Sequence, residues 1–135
     1  MVMTSMLMAL ALASAGSNGP SPVQGDFDHD GTMDVAEIVK EGGRYELVIR
    51  SGARHHRTFV IDSFEQDDLA NLYLTKKDHG RWQTWCGKGG DVGDGPCVLR
   101  SILVRNDTLA FGTEESSEAV AIWTGKRFEV VWLSD

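Results

Sequence analysis

The sequence predicts a mainly β protein: a single antiparallel β domain, a small sandwich or meander, with one acidic metal-binding loop. Three observations carry that expectation. Short runs rich in apolar and β-branched residues recur from Val35 to the end of the chain, and turn residues separate them. No segment sustains a helical hydrophobic period for more than a turn or two. The 135 residues are one domain's worth of material, with no room for two independent cores. That length also excludes a complete β-propeller, a TIM barrel and a full doubly wound sheet.

Residues 1–15 (MVMTSMLMALALASA) stand apart from the fold, being apolar at twelve of fifteen positions. A bilayer span takes about 20 apolar residues, so this run is too short to be one. Ala13-Ser14-Ala15 supplies a small-residue cleavage site, and the run predicts a secretory signal peptide over 1–15, although its start carries no Lys or Arg. An apolar helix packed on the domain is the alternative. Residues 16–24 (GSNGPSPVQ) read as a flexible linker, which leaves 25–135 for the β domain and its loop.

Within the domain, residues 44–50 (RYELVIR) place Tyr45, Leu47 and Ile49 on one face and Glu46 and Arg50 on the other. Residues 57–61 and 69–75 are strands of similar composition, with a short helix over 67–74 as the alternative for the second, because Leu69, Leu72 and Tyr73 also fit a helical face. Strands over 98–104 and 108–111 follow, with Asn106-Asp107 as the turn between them. The last two strands, 119–123 and 127–133, flank Thr124-Gly125-Lys126 and form a hairpin. Apolar residues on both faces of the final strand predict that it is covered on both sides.

The formal charge is −7. An acidic chain gains nothing from the field of nucleic-acid phosphates or of anionic lipid, so neither is an expected partner. The two cysteines, Cys86 and Cys97, bracket a loop containing five glycines (CGKGGDVGDGPC). In an exported protein such a pair is expected to form a disulfide. A zinc site with His79 is the sharper alternative, but a second paired motif is lacking.

Residues 25–37 (GDFDHDGTMDVAE) hold the one specific motif. Counted from Asp26, carboxylates stand at loop positions 1, 3, 5, 9 and 12, with glycine at 6. A hard cation takes oxygen ligands, and this spacing lets alternate side chains converge on one point. Asp26, Asp28, Asp30 and Asp34, with the Thr32 carbonyl, are the expected ligands of one Ca2+. Glu37 closes the shell only if a helical turn follows. Five carboxylates and no base within residues 26–37 repel one another unless a cation sits among them. Calcium is preferred to magnesium because the carboxylate count exceeds what octahedral magnesium recruits. An EF-hand is not expected, since the prolines and glycines of 16–24 make no helix ahead of the loop.

On Gly25, Asp26, Asp28, Asp30, Gly31, Asp34 and Val35 the loop resembles the calcium loop of FG-GAP and VCBS-type repeats. The resemblance implies that the loop runs into a strand over 35–39 and that Glu37 lies outside the shell. Those repeats build propellers from several blades, whereas this chain has a single copy and no internal repeat, so no propeller is implied. The Trp85-Cys86-Gly87-Lys88-Gly89 and Trp123-x-Gly-Lys-x-Phe128 segments, with the terminal Trp132-Leu-Ser-Asp135, also resemble small exported bacterial proteins, which bears on compartment and architecture alone.

The remaining constellations are weaker. Asp91 and Asp94 read as a solvated turn or as a second cation site, and His55-His56 between Arg54 and Arg57 as a basic hairpin tip. An exposed tryptophan near the cysteine loop would mark a protein- or sugar-binding patch. The function expected is that of an exported, periplasmic or secreted, calcium-binding interaction module. Its partner is another protein or an envelope component, with a periplasmic inhibitor or immunity-type protein as one form. The alternative is a hydrolase acting on the cell envelope or on polysaccharide, for which Glu65, Asp67, Asp68, Glu114 and Glu115 supply carboxylates.

Overall fold

In the computed structural model, which describes residues 19–53, 57–91, 93 and 95–134, the chain forms two four-stranded antiparallel sheets and a separate two-stranded hairpin. The expected signal peptide over 1–15, the Arg54-His55-His56 turn and Asp94 lie outside the described residues. The first sheet runs β1 (Val23–Gly25), β2 (Asp34–Glu41), β3 (Arg44–Arg50) and β4 (Thr58–Phe64) in spatial as well as chain order. Val23 and Gln24, read above as linker, belong to β1 and pair with Ala36 and Val35.

Alternation makes the sandwich. Ala36, Leu47 and Ile49 turn inward from the first sheet and meet Leu109, Phe111, Ala119 and Ala121 of the second. That second sheet consists of β5 (Leu72–Lys76), β8 (Leu109–Thr113), β9 (Glu118–Trp123) and β10 (Phe128–Ser134), in the order β10-β9-β8-β5. Phe111 has no exposed surface, and its ring is edge-on to Phe64 of the first sheet. Removing such a side chain costs about 3–5 kcal/mol.

The second sheet is covered on its other face too. β6 (Gly80–Gln83) and β7 (Ser101–Val104) pair as a hairpin, and Ile102 and Val104 pack with Ala110, Val120 and Leu133. The expectation of a doubly covered final strand therefore holds: Phe128 and Val130 serve the inter-sheet core, and Val131 and Leu133 the second one.

Three strand expectations change. Residues 69–75 are divided between a 3-10 turn, Gln66–Asn71, and β5. Of residues 98–104 only Ser101–Val104 is strand, and Val98 is 87% exposed. β6 has no counterpart among the expected strands, because GRWQ holds a single apolar residue. Among the described residues no helix is long and apolar enough to cross a membrane.

Cys86 and Cys97 form a disulfide, with their Cα atoms 5.6 Å apart. The Trp85 amide donates to the Trp132 carbonyl at 2.7 Å, so the cysteine loop is fixed to β10.

Candidate metal centre

The acidic loop leaves β1 at Gly25 and enters β2 at Asp34, and both strands belong to one sheet. Between them Phe27 turns into the inter-sheet core with 1% exposure. This anchor fixes the alternation: Phe27 points inward, and the carboxylates on either side of it are left to face one another.

The carboxylates also fold the loop. Asp26 accepts the amides of Asp30 and Gly31 at 3.0 and 2.9 Å. Asp30 accepts the Thr32 amide at 2.9 Å. Gly31 sits at φ +87, a left-handed conformation that a residue with a Cβ adopts only at a cost, and the chain reverses there. These are the local side-chain-to-backbone bonds that favour Asp in turns.

Asp34 has a different task. It is wholly buried, its Oδ2 accepts the amides of Phe27 and Asp28 at 2.9 and 3.2 Å, and its Oδ1 accepts the Gly52 amide at 3.0 Å. One carboxylate thus ties the start of the loop to the turn after β3. Gly52 is required for that approach, because a Cβ there would lie 2.0 Å from the Met33 carbonyl oxygen.

Asp26, Asp28 and Asp34 each present an oxygen within 4.8 Å of the others. Two oxygens on one calcium at about 2.4 Å are at most about 4.8 Å apart, so this trio can touch a single cation. Asp28 is 6% exposed, and the Ser51 hydroxyl donates to its Oδ2 at 3.0 Å. Burial raises its carboxyl from 3.8 to about 6; the Ser51 hydrogen bond opposes that rise, and Asp34 and Asp30 add to it. A cation among these groups would restore the ionised form.

The other expected ligands are placed differently. Asp30 and Glu37 lie outside the converged trio. Glu37 stands on β2, and its Oε1 is 2.6 Å from Arg50 Nε on β3. Thr32 follows Asp30 in the turn, where its amide meets the Asp30 carboxylate. Asp91 accepts the Gly93 amide in the cysteine loop, away from the acidic trio.

Three participants were missed by sequence reasoning: Ser51, Gly52 and Asp107. The Asp107 carboxylate, on the turn between β7 and β8, accepts the Asp26 amide at 2.9 Å across a separation of 81 residues. A spacing motif holds no signal for such a distant residue. A shallow cleft of about 190 Å³, lined by Asp28, Ser51, Arg57, Phe59, Trp123 and Lys126, opens beside the trio and joins Asp28 to the surface.

No protein-family profile, no curated protein and no solved structure matches the chain.

Proposed function

We propose that the protein is an exported calcium-binding β domain that works as an interaction module, with another protein or a cell-envelope component as its partner. The observation that carries the metal reading is the convergence of Asp26, Asp28 and Asp34. Calcium suits the donors better than magnesium does. It accepts six to eight oxygens in flexible geometry, whereas magnesium demands an octahedron and keeps several waters. In this reading Asp30 and the Thr32 carbonyl complete the shell. Glu37 remains with Arg50, as the resemblance to FG-GAP loops implies for a loop that runs into a strand.

The ion's role is structural. Ser51 and Gly52 contact Asp28 and Asp34, so a cation held by those carboxylates braces the β1–β2 loop against the turn after β3. The apolar run over 1–15 and the Cys86–Cys97 disulfide support export, since disulfides persist in oxidising compartments. Trp132, 43% exposed with its ring edge-on to Phe111, supports a contact surface at that edge of the sandwich.

Calorimetric titration of metal-stripped protein tests the metal half. Calcium should bind at one equivalent and magnesium far more weakly, and an absence of heat with calcium would end the proposal. Amino-terminal sequencing of protein from the periplasm or medium tests the other half. The expected start is close to Gly16, and recovery of an intact Met1 form from the cytoplasm would overturn export.

A further inference from the structure

A second site lies away from the acidic loop, where the β6–β7 hairpin and the cysteine loop border the second sheet. It is a cleft of about 570 Å³ lined by Tyr73, Lys77, Arg81, Trp82, Lys88 and Glu118, among others. That volume falls within the range usual for small-molecule sites. The chain as a whole carries −7, yet this cleft gathers three cationic side chains against Glu115 and Glu118.

Each of those cations already has a partner. Lys77 pairs with Glu118 Oε1, and its ammonium lies 3.8 Å from the centre of the Trp82 ring. Lys88 sits in the 3-10 turn Cys86–Lys88 of the disulfide loop, and its Nζ donates to the Leu133 carbonyl at 2.7 Å. Arg81 Nη1 donates to Ser101 Oγ at 3.1 Å. An ammonium has three N–H donors and a guanidinium five, so each of these groups keeps donors to spare. Much of the side-chain entropy that a free lysine loses on binding has already been given up here.

The inner acceptor, Glu118, is already satisfied. Glu118 receives the Lys77 ammonium on one oxygen and the Tyr73 hydroxyl, at 2.5 Å, on the other. Burial works against its charge, while the hydrogen bonds from Lys77 and Tyr73 and the nearby Lys88 hold its carboxyl below the ordinary value. Its own burial, and then the same carboxylate, push the Tyr73 hydroxyl above its usual range, so Tyr73 stays a donor. The cleft therefore has an excess of anchored donors and no acceptor in need of a partner among these three groups.

We propose that this cleft binds a small, acceptor-rich molecule through a carboxylate or phosphate group, with Lys88 and Arg81 contacting the oxyanion and the Lys77–Glu118 pair forming the floor. Such a ligand matches the surplus donors. A neutral sugar would match them less well, and a cation would meet Lys77, Arg81 and Lys88. Oxyanion contacts of this kind are charge-assisted hydrogen bonds, which salt weakens when they are exposed.

The test is an NMR titration of protein freed of divalent ions on a chelating resin, with inorganic phosphate, glucuronate and glucose as separate probes. Phosphate, glucuronate or both should shift the amides of Lys77, Lys88 and Glu118 saturably. Glucose should not. Which anion binds more tightly distinguishes a phosphorylated from a carboxylated ligand. Arg81→Gln and Lys88→Gln lie at the rim, leave the Lys77–Glu118–Tyr73 set intact, and should each weaken binding about tenfold. Absence of saturable shifts with both anions, equal binding of glucose, or unchanged affinity in both variants would overturn the proposal. Because the acidic loop is stripped of metal throughout, failure here leaves the calcium reading untouched.

Discussion

Chelation of calcium should expose a pH dependence of stability, contributed by Asp28, that bound calcium largely cancels. In protein without metal, the Asp28 carboxyl stands at about 6 instead of 3.8, raised first by burial and then by Asp34 and Asp30, against the Ser51 hydrogen bond. In the unfolded chain it returns to about 3.9. Between those values the folded state binds more protons than the unfolded state, so the free energy of unfolding falls as pH rises. At about 1.36 kcal/mol per pKa unit the whole effect is roughly 3 kcal/mol, fully present below about pH 4 and lost by about pH 6. Calcium at the proposed site should flatten that slope, because it requires the carboxylate and competes with the proton. At 100 times Kd it adds about 2.7 kcal/mol, and it adds least in acid. Asp28→Asn keeps an oxygen for the Ser51 hydroxyl and removes the charge. It should raise the chelated protein's melting temperature at neutral pH by several degrees and abolish most of the response to calcium. Thermal melts of both proteins, in calcium and in EDTA across this pH window, provide the assay. Their difference cancels the titration of carboxylates that do not interact with Asp28. Identical melting temperatures of the unmutated protein in calcium and EDTA at neutral pH would refute the ligation. A difference between the proteins that does not change with pH would refute the buried-carboxylate argument.

Asp34→Ala should destabilise the protein by about 3 kcal/mol or more even in EDTA, since it leaves the Phe27, Asp28 and Gly52 amides without their acceptor; wild-type stability in urea melts would remove the scaffolding role. Glu37→Gln breaks only a part-exposed pair with Arg50, so stability should fall by less than about 1 kcal/mol and calcium affinity should hold. A large loss of affinity on calorimetric titration would put Glu37 in the shell instead. Reduction of the Cys86–Cys97 disulfide, with an 11-residue separation, should lower stability by about 2–3 kcal/mol. Denaturant melts with and without reductant measure this, and unchanged midpoints would show that the loop's contacts with β10 suffice without the bond.

What is legible in the sequence is what depends on neighbours along the chain. Residues 44–50 give β3 its bounds because Leu47 and Ile49 alternate toward a core, and the final strand shows both of its faces. Where distant partners decide, the pattern misleads. Residues 66–76 fit strand and helix alike because both are present: Glu65 and Asp68 cap a 3-10 turn that buries Leu69, and pairing with Thr113 starts β5 at Leu72. Val98 and Leu99 have strand composition, but the Leu99 carbonyl accepts from the Thr84 hydroxyl and pairing with β6 starts only at Ser101. β6 itself is defined by that pairing and leaves little trace in GRWQ. The loop divides in the same way. Spacing identifies Asp26, Asp28 and Asp34, but it cannot assign their tasks, because Ser51, Gly52 and Asp107 arrive from other turns. In a ligand list read from spacing, Asp34 is one carboxylate among several. In the fold it is the group that holds the loop shut, with both oxygens already oriented by backbone donors. In the proposed site, therefore, a change at Asp34 or Asp26 alters the shape of the loop and its affinity together, whereas Asp28→Asn, which keeps an acceptor for Ser51, is where affinity can change while the fold remains.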